Sequence, residues 1–170
     1  EDEILNYGVD GGRAALNFLR SLRNMMAGAS RSSVNMTVKW DGAPAIFAGI
    51  DPDDGKFFVA KKSVFNVSPK LYKTEAEIDA DLSGTLNAKF KVALKEFSKL
   101  GIKGVLQGDL MFTDDVEETT IDGNGYLTFQ PNTIVYAIPN NSVLAKTIKK
   151  AKVGIVWHTT YTGNTLQGMK

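Results

Sequence analysis

Apolar residues recur along this chain with two different spacings, and the change from one to the other marks out its elements. Between Asp10 and Gly28 they fall at Ala15, Leu19, Leu22 and Met26, a helical spacing. Asp10 is placed to cap that helix and Gly28 to stop it. Residues 29–33 form a polar connector. From Asn35 the pattern becomes strict alternation: Met36, Val38 and Trp40 on one face, Asn35, Thr37, Lys39 and Asp41 on the other. This predicts a strand that anchors itself through Trp40 and aims Lys39 and Asp41 together. Two further apolar runs, 44–50 and 56–65, flank the turn-forming stretch 51–55 and read as a hairpin.

Thr74 followed by Glu77 is a capping-box pair and opens a helical stretch that Gly84 interrupts. A second amphipathic helix then turns Leu86, Phe90, Ala93, Leu94 and Phe97 inward and ends at Gly101. Residues 104–112 read as a strand, followed by a polar acidic loop to Gly125. Strands are expected again at 126–129, 133–138 and 153–161, with a short helix within 142–151. Strands dominate, helices interrupt them, and no βαβ alternation appears. The expected fold is therefore α+β, with mainly antiparallel sheets and two or three helices in a single domain over residues 1–170.

Composition narrows the chemistry. The chain has 170 residues, no cysteine and one histidine, His158, which excludes disulfides, thiolate zinc sites and histidine clusters. The formal net charge is +1, so a nucleic-acid partner would have to be held by a local basic patch. Arg13, Arg20, Arg23 and Arg31 could form one, although a solvated helix face is the better reading of them. No apolar run is long enough to span a bilayer, so no membrane is expected, and a cytoplasmic location is. No G-x-x-x-x-G-K-S/T phosphate loop is present. Residues 51–55 and 122–129 lack the ligand spacing of calcium loops and read as turns. His158 is read as a structural histidine on a strand.

The sharpest local signal is Lys39-Trp40-Asp41-Gly42. A lysine amine attacks electrophiles only when deprotonated, a state that desolvation or neighbouring cations favour, and a pocket wall supplies both. Gly42 permits a tight turn and close approach to a ligand. The competing reading is a solvated turn carrying a weak ion pair.

This K-x-D-G string resembles the first motif of the covalent nucleotidyltransferase superfamily: ATP-dependent DNA ligases, RNA ligases and mRNA capping enzymes. The order of the following segments is also similar, over roughly residues 34 to 138. A strand with basic residues comes next (Lys61, Lys62 and Ser63 here), then an apolar strand ending Gly108-Asp109-Leu110, then an aromatic strand with Tyr136. The nearest flavour is a bacteriophage RNA-ligase-like protein, which would place the chain in a host cytoplasm. The resemblance implies that Lys39 attacks the α-phosphorus of ATP to form a lysyl-AMP, as in the adenylation step of an RNA or DNA ligase. Asp41 would assist as a second catalytic residue. Gly42, Lys61, Lys62, Ser63, Asp109 and Tyr136 would contact the nucleotide, and Asp109 would also meet Mg²⁺. A 5′-phosphorylated nucleic-acid end would be the acceptor.

The sequence departs from that pattern in three ways. Asp109 stands where Glu is commoner. Ala137 occupies the expected position of an acid. No Glu-Gly strand follows, and Lys150-Ala-Lys152 spells the last motif but precedes strand-like sequence. The chain opens on Glu1 and stops at Lys170 just after a strand, so the missing motifs are expected beyond it. The alternative is a non-catalytic nucleotide-binding or viral accessory module of the same fold.

Overall fold

The computed structural model describes residues 2–28 and 39–170, which fall into two compact units, Glu1–Lys39 and Trp40–Lys170. The fold is α+β with antiparallel sheets, as the periodicity predicts, and the described residues form four α-helices where two or three were expected.

The N-terminal unit is built on α1, Asp2–Met26. It begins before the expected Asp10 cap, because two helical pieces join at Gly8, whose φ of 56° only glycine adopts without strain. Asp10 therefore lies inside the helix, 3.7 Å from Arg13. The stop at Gly28 is as predicted: its φ is 66° and its N–H donates to the Met25 carbonyl. Arg13, Arg20 and Arg23 are exposed, while Arg31, the connector and most of the expected 35–40 strand lie outside the described residues.

The second unit opens with an irregular segment from Trp40 to Pro44 and then forms a hairpin. β1 (Ala45–Ile50) pairs antiparallel with β2 (Phe57–Ala60) across the predicted turn. The second arm is shorter than expected, because Lys62–Phe65 coil into a 3₁₀ turn. After β3 (Leu71–Tyr72), Thr74 caps α2 (Glu75–Asp81) with its hydroxyl accepting from the Glu77 N–H, and the Glu77 carboxylate accepts from the Thr74 N–H in return. α3 (Gly84–Phe97) and β4 (Val105–Phe112) follow.

The stretch expected to be a polar loop is a strand. β5 (Glu117–Ile121) pairs with β6 (Asn124–Phe129) through Asp122 and Gly123, both at positive φ, the Asp-Gly hairpin turn. β5 has no apolar alternation because neither of its faces is buried. β7 (Tyr136–Pro139), α4 (Val143–Ile148) and β8 (Gly154–Tyr161) complete the chain.

The strands form a five-stranded sheet, β3-β2-β1-β4-β8, and a three-stranded sheet, β5-β6-β7. One face of the larger sheet (Ile46, Ala48, Val59, Leu110) packs on Ile78 of α2 and on Phe90, Ala93 and Phe97 of α3. Each fully buried aromatic there contributes about 1.5–3 kcal/mol of apolar transfer. The opposite face packs Phe47, Phe58 and Val105 on Val64 and Leu166. A third cluster joins the C-terminal end of β4 to the smaller sheet through Met111, Phe112, Leu127 and Phe129, with Trp40 and Tyr136 against it. Among the described residues, no helix is long and apolar enough to cross a membrane.

Candidate functional site

The antiparallel order determines which segments share an end of the sheet. The start of β1, the finish of β2, the finish of β4 and the start of β8 all lie at one edge. Asp41-Gly42, Lys61–Ser63 and Asp109, far apart in sequence, are therefore carried to the same end.

The irregular segment before β1 continues alongside β4. The Ala43 N–H donates to the Leu110 carbonyl and the Leu110 N–H donates to the Pro44 carbonyl, both at 3.0 Å. Gly42 is pressed onto that strand. A Cβ there would lie 2.8 Å from Asp109 Cβ, 2.8 Å from the Leu110 carbonyl oxygen and 2.9 Å from Met111 Sδ. Only glycine lets the two segments meet this closely.

Trp40 and Asp41 hold the segment from both sides. The half-buried Trp40 ring lies 5.1 Å from that of Tyr136, which stacks in turn on Phe129 at 5.5 Å. The Asp41 N–H donates to the Tyr136 hydroxyl at 2.7 Å. Its carboxylate accepts from Asn132 Nδ2 at 3.3 Å and from Thr133 Oγ1 at 3.1 Å. The predicted anchoring by Trp40 thus exists, but the segment is not a strand. Alternation of Lys39 and Asp41 on one face does not apply at these residues. Lys39, exposed, is the last residue of the N-terminal unit and one peptide bond from Trp40.

Asp109 lies on the face opposite the helices, together with Val105 and Gln107, and its side chain is 30% exposed. It pairs across the ladder with Ala45 on one side and Val156 on the other. His158 Nε2 lies 3.6 Å from its Oδ1. This neighbour was not anticipated: nothing in the sequence around residue 158 reveals that β8 lands beside β4.

The basic residues after β2 are arranged differently from the sequence expectation. They leave the strand, because Lys62–Phe65 form a 3₁₀ turn. Lys61 reaches Asp81 of α2 at 3.5 Å, Lys62 is exposed and Ser63 is half-buried. Asp81 is also held by Lys70 and by the Tyr72 hydroxyl, and these hydrogen bonds lower its carboxyl to about 2. Burial, with the Asp81 charge beside it, pushes the Tyr72 hydroxyl up. Tyr136 carries its hydroxyl to the Asp41 backbone, and its ring belongs to the apolar cluster.

An apolar cavity of about 480 Å³ lies between α3, α4 and the start of β8, walled by Phe97, Phe112, Ile148, Ile155 and one edge of Trp40. Its walls include neither Asp41 nor Asp109. Among the described residues, no cluster of three or more His, Cys, Asp or Glu side chains could enclose a metal. Mg²⁺ that travels with a nucleotide needs only one or two carboxylates, because phosphates and water supply the rest, and Asp109 offers one accessible hard oxygen.

The chain belongs to a family of unknown function, DUF6267, whose model matches residues 1–170. No curated protein and no solved structure matches it.

Proposed function

We propose that this protein is an ATP-dependent nucleotidyltransferase that forms a covalent lysyl-AMP on Lys39, as the first step of joining nucleic-acid ends. One observation carries the reading: Gly42 of the K-x-D-G segment packs directly on Asp109 of the G-D-L strand. The β1–β4 ladder brings these two motifs, 67 positions apart, together at one end of the sheet, as a shared site requires.

In this reading the neutral Lys39 amine attacks the α-phosphorus of MgATP. A P–N bond forms, the bond from the α-phosphorus to the bridging oxygen breaks, and pyrophosphate leaves with the electron pair. The amine proton passes to solvent. Phosphoryl-type transfer of this kind depends chiefly on positioning and charge neutralisation. Asp41, clamped by Asn132, Thr133 and Tyr136, is held in a fixed place at the Asp41–Gly42 end of the motif. Asp109 meets the ribose or the Mg²⁺ on the phosphates. Lys62 and Ser63 follow the finish of β2, two strands from β4 at the same sheet end, and would meet the triphosphate.

The second reading, a non-catalytic module, is favoured by the engagement of Lys61 with Asp81 and of Tyr136 with Trp40 and Phe129. Those groups are occupied by the protein itself. Incubation with α-labelled ATP or GTP and Mg²⁺, followed by denaturing electrophoresis, separates the two. Label from ATP that is absent in Lys39→Ala supports the transferase. No label from either nucleotide leaves the module.

A further inference from the structure

The one histidine of the chain stands at an irregularity of the sheet. Along β4 and β8, Gln107 pairs with Thr159 but the next residue, Gly108, pairs with Trp157. His158 is the extra residue of a β-bulge, a device that re-aims side chains beside functional sites. Gly108 permits it: a Cβ there would sit 2.7 Å from the Trp157 ring, which packs over the glycine and against Phe97. With Trp157 on the helix-covered face, the bulge leaves His158 and Thr159 together at the other.

There the imidazole is oriented from both ends. Nδ1 lies 2.8 Å from Thr159 Oγ1, and Nε2 faces Asp109 Oδ1 at 3.6 Å. The first contact is a hydrogen bond, and the second is too long to be one. When Nδ1–H donates to Thr159, Nε2 presents a lone pair to a carboxylate oxygen that also presents one. That tautomer aims two ligand atoms at one cation, whereas the other tautomer places a proton between them. Metal ligands of about 2.1 Å stand roughly 3.0 Å apart at an octahedral right angle and roughly 3.4 Å apart at a tetrahedral one. The 3.6 Å gap lies beside the tetrahedral value. A ligating histidine whose other nitrogen is held by a hydrogen bond is the usual arrangement at such sites.

We propose that Asp109 Oδ1 and His158 Nε2 bind a divalent transition ion of the Zn²⁺ type, oriented by Thr159. Among the described residues, no third His, Cys, Asp or Glu completes a cluster, so the remaining positions belong to water or to an anionic substrate oxygen. With two protein ligands the site is open, unlike the closed four-ligand structural sites. Imidazole nitrogen selects such ions over Mg²⁺. That a nucleotide phosphate fills the open positions rests on the transferase reading; metal binding by the pair does not.

With a single histidine, ¹⁵N NMR of the imidazole reports this site alone. Zn²⁺ added to the nucleotide-free protein is expected to shift Nε2 to its metal-bound position at stoichiometric concentrations, while the same concentration of Mg²⁺ leaves it unmoved. Asp109→Asn and Thr159→Val should each weaken Zn²⁺ by about tenfold or more. An imidazole that ignores Zn²⁺, or responds equally in both variants, overturns the proposal. If Asp109→Asn fails to fold, His158→Gln with Zn²⁺ titrated by calorimetry decides: unchanged affinity overturns the site. Zn²⁺ on His158 without lysyl-AMP would sink the transferase alone, and lysyl-AMP without Zn²⁺ on His158 would sink the metal site alone.

Discussion

The face of the large sheet that α2 and α3 cover and the strand ends that carry Asp41 and Asp109 are made of opposite materials. The covered face is apolar, repetitive and held by area: Ile46, Ala48, Leu110, Ile78 and Phe90 are each fully buried. The strand ends are polar and half-exposed, held by a few directed contacts, among them Tyr136 on the Asp41 N–H and Gly42 on Asp109. Loss of area on the first should cost stability without altering chemistry. Loss of a contact at the second should alter chemistry at small cost in stability.

The largest expected effect is at the covered face. Phe90→Ala should destabilise by about 3–5 kcal/mol in denaturant titration, with the fraction still folded retaining whatever labelling Lys39 shows. Gly42→Ala comes next and tests where the two regions join. Its new methyl meets Asp109 and the Leu110 carbonyl, so about 1–3 kcal/mol of overpacking strain is expected, together with loss of lysyl-AMP. Normal labelling in that variant would break the comparison. Tyr136→Phe keeps the ring but removes the acceptor of the Asp41 N–H. A loss of about 1 kcal/mol is expected, with a larger relative fall in labelling rate than in stability.

The smallest effect is at Asp81, on the rim between the regions. Its carboxyl lies below its ordinary value of 3.8, at about 2, because Lys70 and Tyr72 hydrogen-bond the ionised form. A depressed value means the fold favours the charge. The contribution is therefore complete above the ordinary value and lost as pH falls towards about 2. Acid titration of stability should show a small step in that window, absent in Asp81→Asn.

The sequence is most legible where one physical rule acts alone. The capping box at Thr74, the α3 face at Phe90 and Phe97 and the 51–55 hairpin all follow from local periodicity or turn chemistry, and all are present. β5 escapes that logic because both its faces meet water, leaving no alternation to read; the Asp122-Gly123 turn was its one signal. Lys39 to Asp41 read as part of a strand because Trp40 alternates with charged neighbours, yet residues 39–42 are irregular and the Trp40 ring packs on Tyr136 of another sheet. The end-of-sheet grouping of Asp41 and Asp109 follows from the β1–β4 ladder, a long-range pairing. The His158–Asp109 pair arises from a one-residue bulge in a long-range ladder that no local pattern encodes.

The strand order has a consequence for how the molecule is made. β4 becomes an interior strand only when β8 pairs with it, and the whole β5-β6-β7 sheet and α4 are synthesised in between. A chain leaving the ribosome N-terminus first therefore holds Asp109 on an open edge until β8 has been made. An unpaired edge of this kind is a template for association with other chains. Translational pauses or nonsense truncations before residue 154 should thus yield aggregation, and Asp109 meets His158 only when that edge is closed.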